Sequence, residues 1–160
     1  MRNHLLLFMA AGALTLSSCN KPEKKEQTAA PESIENVKSE NLKIEFTGTE
    51  TFTIKNPKLK VSLYGVSEGL ADAPATLITE KEFEGKTIPF TIELPVPADA
   101  EGKINPKPVK GAKYYIATEW DSDGNGKANE KGDIFIDHDK AFPNVNLNSE
   151  TQKIYVKILK

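Results

Sequence analysis

Cysteine and histidine are the scarcest chemically useful residues in this 160-residue chain, with one Cys, Cys19, and two His, His4 and His138. A single thiol excludes an intrachain disulfide and a thiolate metal cluster. Two imidazoles at opposite ends are too few for a zinc centre, and no Gly-x-Ser-x-Gly nucleophile elbow occurs. The chain is therefore expected not to be an enzyme. An excess of one charge is also missing. The totals of 21 basic and 23 acidic residues leave a net charge of −2, which recommends neither a nucleic-acid surface nor an anionic membrane face. Lys103, Lys107, Lys110 and Lys113 do cluster, but prolines separate them and no aromatic interleaves, as in a solvated loop. No stretch keeps up a helical spacing of apolar residues. The one long apolar run, Leu5 to Leu16, is shorter than the ~20 residues that span a bilayer.

What that run does have is a basic start, Arg2, and an end in Leu16-Ser17-Ser18-Cys19. A cationic n-region, an apolar h-region and small residues before a cut describe a secretory signal over residues 1–18. The small-small-Cys ending resembles the bacterial lipobox, in which the Cys is acylated and becomes the first mature residue. Cys19 is thus the expected lipidation site, against the alternative of an ordinary signal that happens to contain a Cys. Losing Arg2 and His4 with the signal leaves 20 basic against 23 acidic residues, a net of −3, and His138 as the remaining imidazole. Attachment to the membrane is then covalent. Asn20 rather than Asp follows Cys19, which by analogy with enterobacterial sorting favours the outer over the inner membrane; the expected orientation is toward the periplasm, with the cell surface as the alternative.

Asn20 to Glu40 mixes Lys and Glu with two prolines, and carries Ile34 and Val37 as its large apolar residues. Such a segment buries too little surface to offset its ordering entropy and is expected to be a disordered tether, with a short helix over residues 32–38 as the alternative. Its 21 residues reach at most ~70 Å when extended and roughly 25 Å as a coil.

From Leu42 onward the apolar period becomes two. Leu42, Ile44 and Phe46; Leu59, Val61 and Leu63; Ile88, Phe90, Ile92 and Leu94; and Ile154, Val156 and Ile158 alternate with polar neighbours. Each run predicts a strand with one face in a core. Further strands are predicted over Thr51–Lys55, Thr76–Phe83, Lys113–Trp120 and Asp133–Asp137, separated by segments rich in turn residues. Pro89 inside its run points to an edge strand or a bulge. Residues 41–160 are expected to form one small antiparallel β-sandwich of seven to eight strands.

One segment is suited to holding a ligand. In Asp121-Ser-Asp123-Gly-Asn125-Gly126-Lys127, oxygen side chains alternate at positions 1, 3 and 5 and a glycine follows, the arrangement in which a chain wraps a hard cation such as Ca²⁺. The candidate metal residues are Asp121, Asp123, Asn125, Lys127, Glu130 and Asp133. Position 12 is Gly132 rather than Glu, so the nearest closing carboxylates, Glu130 and Asp133, flank the position a bidentate ligand would take, and weak affinity is expected. Asp-Gly and Asn-Gly are also ordinary hairpin turns. Ca²⁺ is therefore a candidate cofactor and no other is indicated. His138 reads as a surface residue at a strand end, and Trp120 as a core or strand-end anchor in preference to a stacking platform for a sugar or an aromatic partner.

Val66-Ser67 with Leu70-Ala71-Asp72-Ala73-Pro74-Ala75, then Ile88-Pro89-Phe90, Leu94-Pro95, Phe135 and Ala141-Phe142-Pro143 resemble the type III secretion lipoprotein chaperone family, which includes secretin pilotins and many envelope lipoproteins. The resemblance runs from about Leu59 to Val145 and departs from the family pattern at Glu68-Gly69 and in the long loop after Trp120. It implies a small β-sandwich and a binding and assembly role for another envelope protein, captured by strand addition at an exposed edge or in an apolar groove. No partner-binding residue is singled out; Leu70 to Pro74 reads as a structural turn, with a binding surface as the alternative. A second reading is a Ca²⁺-dependent ligand-binding lipoprotein with no assembly role.

Overall fold

The computed structural model describes residues 40–160. The expected signal over 1–18, Cys19 and the tether up to residue 39 lie outside the described residues. Eight strands follow one another: β1 (Glu40–Thr47), β2 (Lys58–Ser67), β3 (Thr76–Glu84), β4 (Phe90–Val96), β5 (Ala112–Trp120), β6 (Ile134–Ile136), β7 (Asn144–Val145) and β8 (Gln152–Ile158), with one 3₁₀ turn at Glu101–Lys103. They form two four-stranded sheets, ordered β4-β1-β8-β6 and β3-β2-β5-β7. The described residues form a small, almost entirely β-sheet sandwich, as their period-two pattern predicts. No helix among the described residues is long and apolar enough to cross a membrane.

The alternating residues meet between the sheets. Leu42, Ile44 and Phe46 of β1, Leu59, Val61 and Leu63 of β2, Leu94 of β4, Ile116 and Trp120 of β5 and Ile154 of β8 are all buried in one cluster. Phe46 stacks on Phe90 at 5.1 Å between ring centroids, and Phe90 meets Trp120 edge-on at 6.1 Å. Trp120 is a core anchor whose indole N–H donates to the carbonyl of Asn56 at 2.9 Å. Since side chains alternate, slipping any one of these strands by one residue would turn its apolar set toward water, which pins the register.

Four details depart from the sequence reading. The sandwich is not antiparallel throughout: β1 runs parallel to β8, with Ile44 opposite Gln152 and Phe46 opposite Ile154. These are the first and last strands, so no hairpin dictates their relative direction. Thr51–Lys55 is not a strand. Phe52 and Ile54 do pack on the core, but the backbone there joins no ladder; the N–H groups of Lys55 and Asn56 donate instead to the carbonyl of Ser122 at 2.8 and 3.2 Å. The run from Ile88 is a strand only from Phe90, immediately after Pro89, whose nitrogen has no hydrogen to donate. As expected for a proline-bearing run, β4 is an edge strand. Finally β7, two residues long, carries no period for a pattern to show.

The loop between β4 and β5 closes one pole. Ala100 and Ile104 are buried there, and Gly65 of β2 lies so close under Ile104 that a Cβ would sit 2.8 Å from its Cδ1. A hollow of about 490 Å³ at this pole is shared by Asn41, Leu42, Val96, Pro97, Tyr114 and Leu147. The starts of β1 and β5 and the end of β4 therefore lie together, and β5 delivers Trp120 and the following acidic loop to the opposite pole.

Candidate functional site

The acidic loop spans residues 121–133 and carries the chain from β5 in one sheet to β6 in the other. Its two ends are latched. Ser122 and Asp133 are both fully buried; the Ser122 hydroxyl accepts the Ile134 N–H at 2.8 Å and donates to Asp133 Oδ1 at 3.4 Å. Asp133 also accepts the N–H of Asp123 at 3.2 Å and that of Glu130 at 3.0 Å. Inside this frame the short polar side chains wind the backbone. Asp121 accepts the N–H groups of Asn125 and Gly126 at 2.9 and 3.0 Å. Asp123 accepts the Asn125 N–H at 2.9 Å and its side-chain amide at 3.1 Å, and Asn125 Oδ1 accepts the Lys127 N–H at 2.9 Å. The bonds accepted by Asp123 and Asn125 from the N–H two residues on are successive Asx turns, and Asp121 closes over them from four and five residues back.

Of the six candidate residues, the structure brings three carboxylates together: one oxygen from each of Asp121, Asp123 and Asp133 lies within 4.8 Å of the others. Asn125 joins them through its bonds to Asp121 and Asp123. Lys127 and Glu130 instead point to one another, with Nζ 3.6 Å from Oε1, both exposed. The absence of Glu at position 12 has a local cause. Gly132 has φ of +102°, and a Cβ there would lie 2.9 Å from Asp123 Oδ2. A side chain at 132 would crowd the Asp123 carboxylate, and the next residue, Asp133, is the one turned inward.

Two residues of the loop that hold it in place were not singled out by sequence reasoning. Ser122 carries the latch with Asp133, and Asn129, at φ of +60°, ties the loop to β5. Its side-chain amide donates to the carbonyl of Thr118 at 3.1 Å and accepts the Trp120 N–H at 3.4 Å. Ser122 stands outside the alternating oxygen pattern and no other signal in the sequence marks it; Asn129 continues the pattern at position 9, but its spacing does not show that it bonds β5.

A second feature lies on the outer face of the β3-β2-β5-β7 sheet. Cross-strand register places Leu77 opposite Tyr64 and Tyr64 opposite Tyr115. The two tyrosine rings stack at 5.5 Å, and Phe142, before β7, meets Tyr115 at 6.0 Å. The row crosses the whole sheet, with Leu77 43% and Phe142 61% exposed at its ends. Partial burial, with Tyr64 alongside, raises the Tyr115 phenol above its usual pKa. His138 extends the row: exposed, just beyond the end of β6, it packs against Phe142 at 5.9 Å and Phe135 at 5.7 Å. Beside the row runs a shallow trough of about 370 Å³, floored by Ser62 and Ala117 and walled on its far side by the ion pair of Lys60 and Glu119. The expected turn at Leu70 to Pro74 is present, with Asp72 at φ of +53°.

No family model matches the chain, and no curated protein matches it by sequence. Among solved structures it is similar to an alternative pilotin from the type II secretion system of Vibrio cholerae, with a TM-score of 0.46 and 18% identity over 74% of this chain and 96% of that one. So distant a likeness carries no argument about function, and the type III secretion chaperone family remains an expectation from the quoted motifs.

Proposed function

We propose that this chain is a lipid-anchored binding module of the cell envelope, attached through Cys19 to the outer membrane on its periplasmic side, that holds a segment of another envelope protein and performs no chemistry on it. The observation that supports this reading is the apolar row Leu77-Tyr64-Tyr115-Phe142, set among ion-paired side chains on an otherwise polar sheet face. A contiguous, partly exposed apolar and aromatic patch rimmed by polar side chains marks a recognition surface more often than chance exposure does. The trough beside the row offers a partner main chain polar groups at Ser62, Lys60 and Glu119, while the rings take its apolar side chains. Several acyl chains on Cys19 would then hold the pair at the membrane more firmly than one.

The test is affinity capture from envelope extracts with the unsubstituted chain, a Tyr115→Ser/Phe142→Ser double variant and Asp121→Ala. The expected result is one partner retained by the first and third and lost by the double variant. Identical captures by all three would refute the assignment to this face. Replacing Cys19 by Ser should release the protein from envelopes into the soluble fraction; pelleting as before would refute the anchor.

The convergence of Asp121, Asp123 and Asp133 favours a second reading, in which the loop takes Ca²⁺ and shapes a ligand-binding surface. Lacking a bidentate Glu, it is expected to bind on the order of 10⁻⁴–10⁻³ M, the range of extracellular modules. Millimolar calcium should then raise the melting temperature of the unsubstituted protein and leave Asp123→Ala unmoved. Equal responses from the two would remove this reading.

A further inference from the structure

The outer edge of β5 is closed in an unusual way. β5 has nine residues, and β7 pairs with it at Tyr114 and Tyr115. Beyond them no strand among the described residues covers residues 116–120. The Ile116 N–H donates to the carbonyl of Pro143 at 2.9 Å. From there the closure falls to Asn129. Its side-chain amide donates to Thr118 O and accepts from Trp120 N, and its own backbone N–H donates to the Trp120 carbonyl at 3.4 Å. A primary amide that donates to the carbonyl of one residue and accepts from the N–H two residues on reproduces what one residue of a parallel neighbouring strand does. Asn is suited to this, because it tolerates a φ of +60° and its amide carries donor and acceptor side by side.

We propose that Asn129 is a side-chain plug on the free edge of β5, and that it keeps this edge from pairing with a second copy of the chain. An uncovered edge is a template for any strand, and every copy of the chain presents the same one, so self-pairing is the first association the plug has to prevent. Lys and Glu do this service on the opposite edge of the sheet, where β3 carries Glu80, Lys81, Glu82 and Glu84. On β5 the residues near the open end include the buried Trp120 and Ile116, and charge is present only at Glu119.

The test uses the full chain with Asn129→Gly, which keeps a residue at ease with positive φ and removes the amide. The Trp120 amide hydrogen is expected to exchange about tenfold faster, as the loss of one hydrogen bond implies. Sedimentation should show a larger self-associated fraction than the unsubstituted chain at equal concentration. Trp120 fluorescence reports whether the variant folds. Asn129→Ala also removes both donor and acceptor, and carries the same test if the glycine variant does not fold. Unchanged Trp120 exchange in the variants would overturn the plug. Faster exchange with unchanged association would overturn its role against self-pairing.

Discussion

Replacing Asp133 by Ala separates a carboxylate that builds the loop from one that merely awaits a cation. Asp133 is fully buried and accepts three hydrogen bonds, from the backbone of Asp123 and Glu130 and from the Ser122 hydroxyl. Bonds to a charged group contribute about 1.5–3 kcal/mol each, and a buried donor left without a partner costs about 1–3 kcal/mol. Glu130 is exposed, so its N–H can turn to water; the bond to Ser122, at 3.4 Å, is long. That leaves the Asp123 N–H and part of the other two, a loss of about 3 kcal/mol. At about 4 °C per kcal/mol for a domain of this size, the melting temperature should fall by about 12 °C. Asp133→Asn keeps the shape and one acceptor oxygen, and should lose roughly half as much, about 6 °C. Thermal unfolding followed by circular dichroism in EDTA is the appropriate assay, since a chelator removes any contribution from bound metal. A fall of less than about 3 °C for Asp133→Ala would refute the latch. If the two variants matched each other, the hydrogen-bond accounting behind the estimate would be wrong.

Phe46→Ala should cost about 3–5 kcal/mol, because Phe46 is fully buried and stacked on Phe90; a urea midpoint lowered by less than 1 kcal/mol equivalent would mean that the core there collapses to fill the gap. The carboxyls of Glu50 and Asp139 are held below their usual pKa, Glu50 first by the N–H of Ile158 and Asp139 first by a hydrogen bond from Lys157. A carboxylate whose pKa is lowered on folding contributes stability above its unfolded pKa, about 4, and loses it as pH falls through the folded value. Glu50→Gln and Asp139→Asn should therefore lose less melting temperature than the unsubstituted protein between pH 6 and pH 3, and parallel curves would refute this coupling. Lys157 is raised, first by Asp139 and then by Asp137, so its own contribution fades only as pH rises past the ordinary lysine range.

The strands that the sequence revealed are those whose two faces meet different solvents. Leu42-Ile44-Phe46 and Leu59-Val61-Leu63 alternate because one side of each strand is core and the other water, and that contrast is written directly in residue type. The same contrast misled at Phe52 and Ile54, which face the core from a segment that pairs with no strand among the described residues. Period two reports which way side chains point; it is silent on whether the backbone has found a partner. Direction is silent too. The parallel pairing of β1 with β8 joins the two ends of the domain, and no local residue records it.

The two candidate sites differ in legibility for a related reason. The loop was visible because Asp121, Asp123 and Asn125 act locally, each bonding an N–H two to five residues ahead, so their chemistry lies within one short window. The aromatic row was invisible because Leu77, Tyr64, Tyr115 and Phe142 come from four separate segments that only cross-strand register aligns. Asn129 stands between these cases, local to the loop in sequence yet acting on the edge of β5. That position couples the two features physically: the segment that winds the carboxylates together also covers the open end of β5, and Ala128 and Asn129 close one end of the trough beside the tyrosines. Loss of the Asn129 amide should therefore be felt both at the end of β5 and at the end of the trough, even though no acidic side chain belongs to the aromatic row.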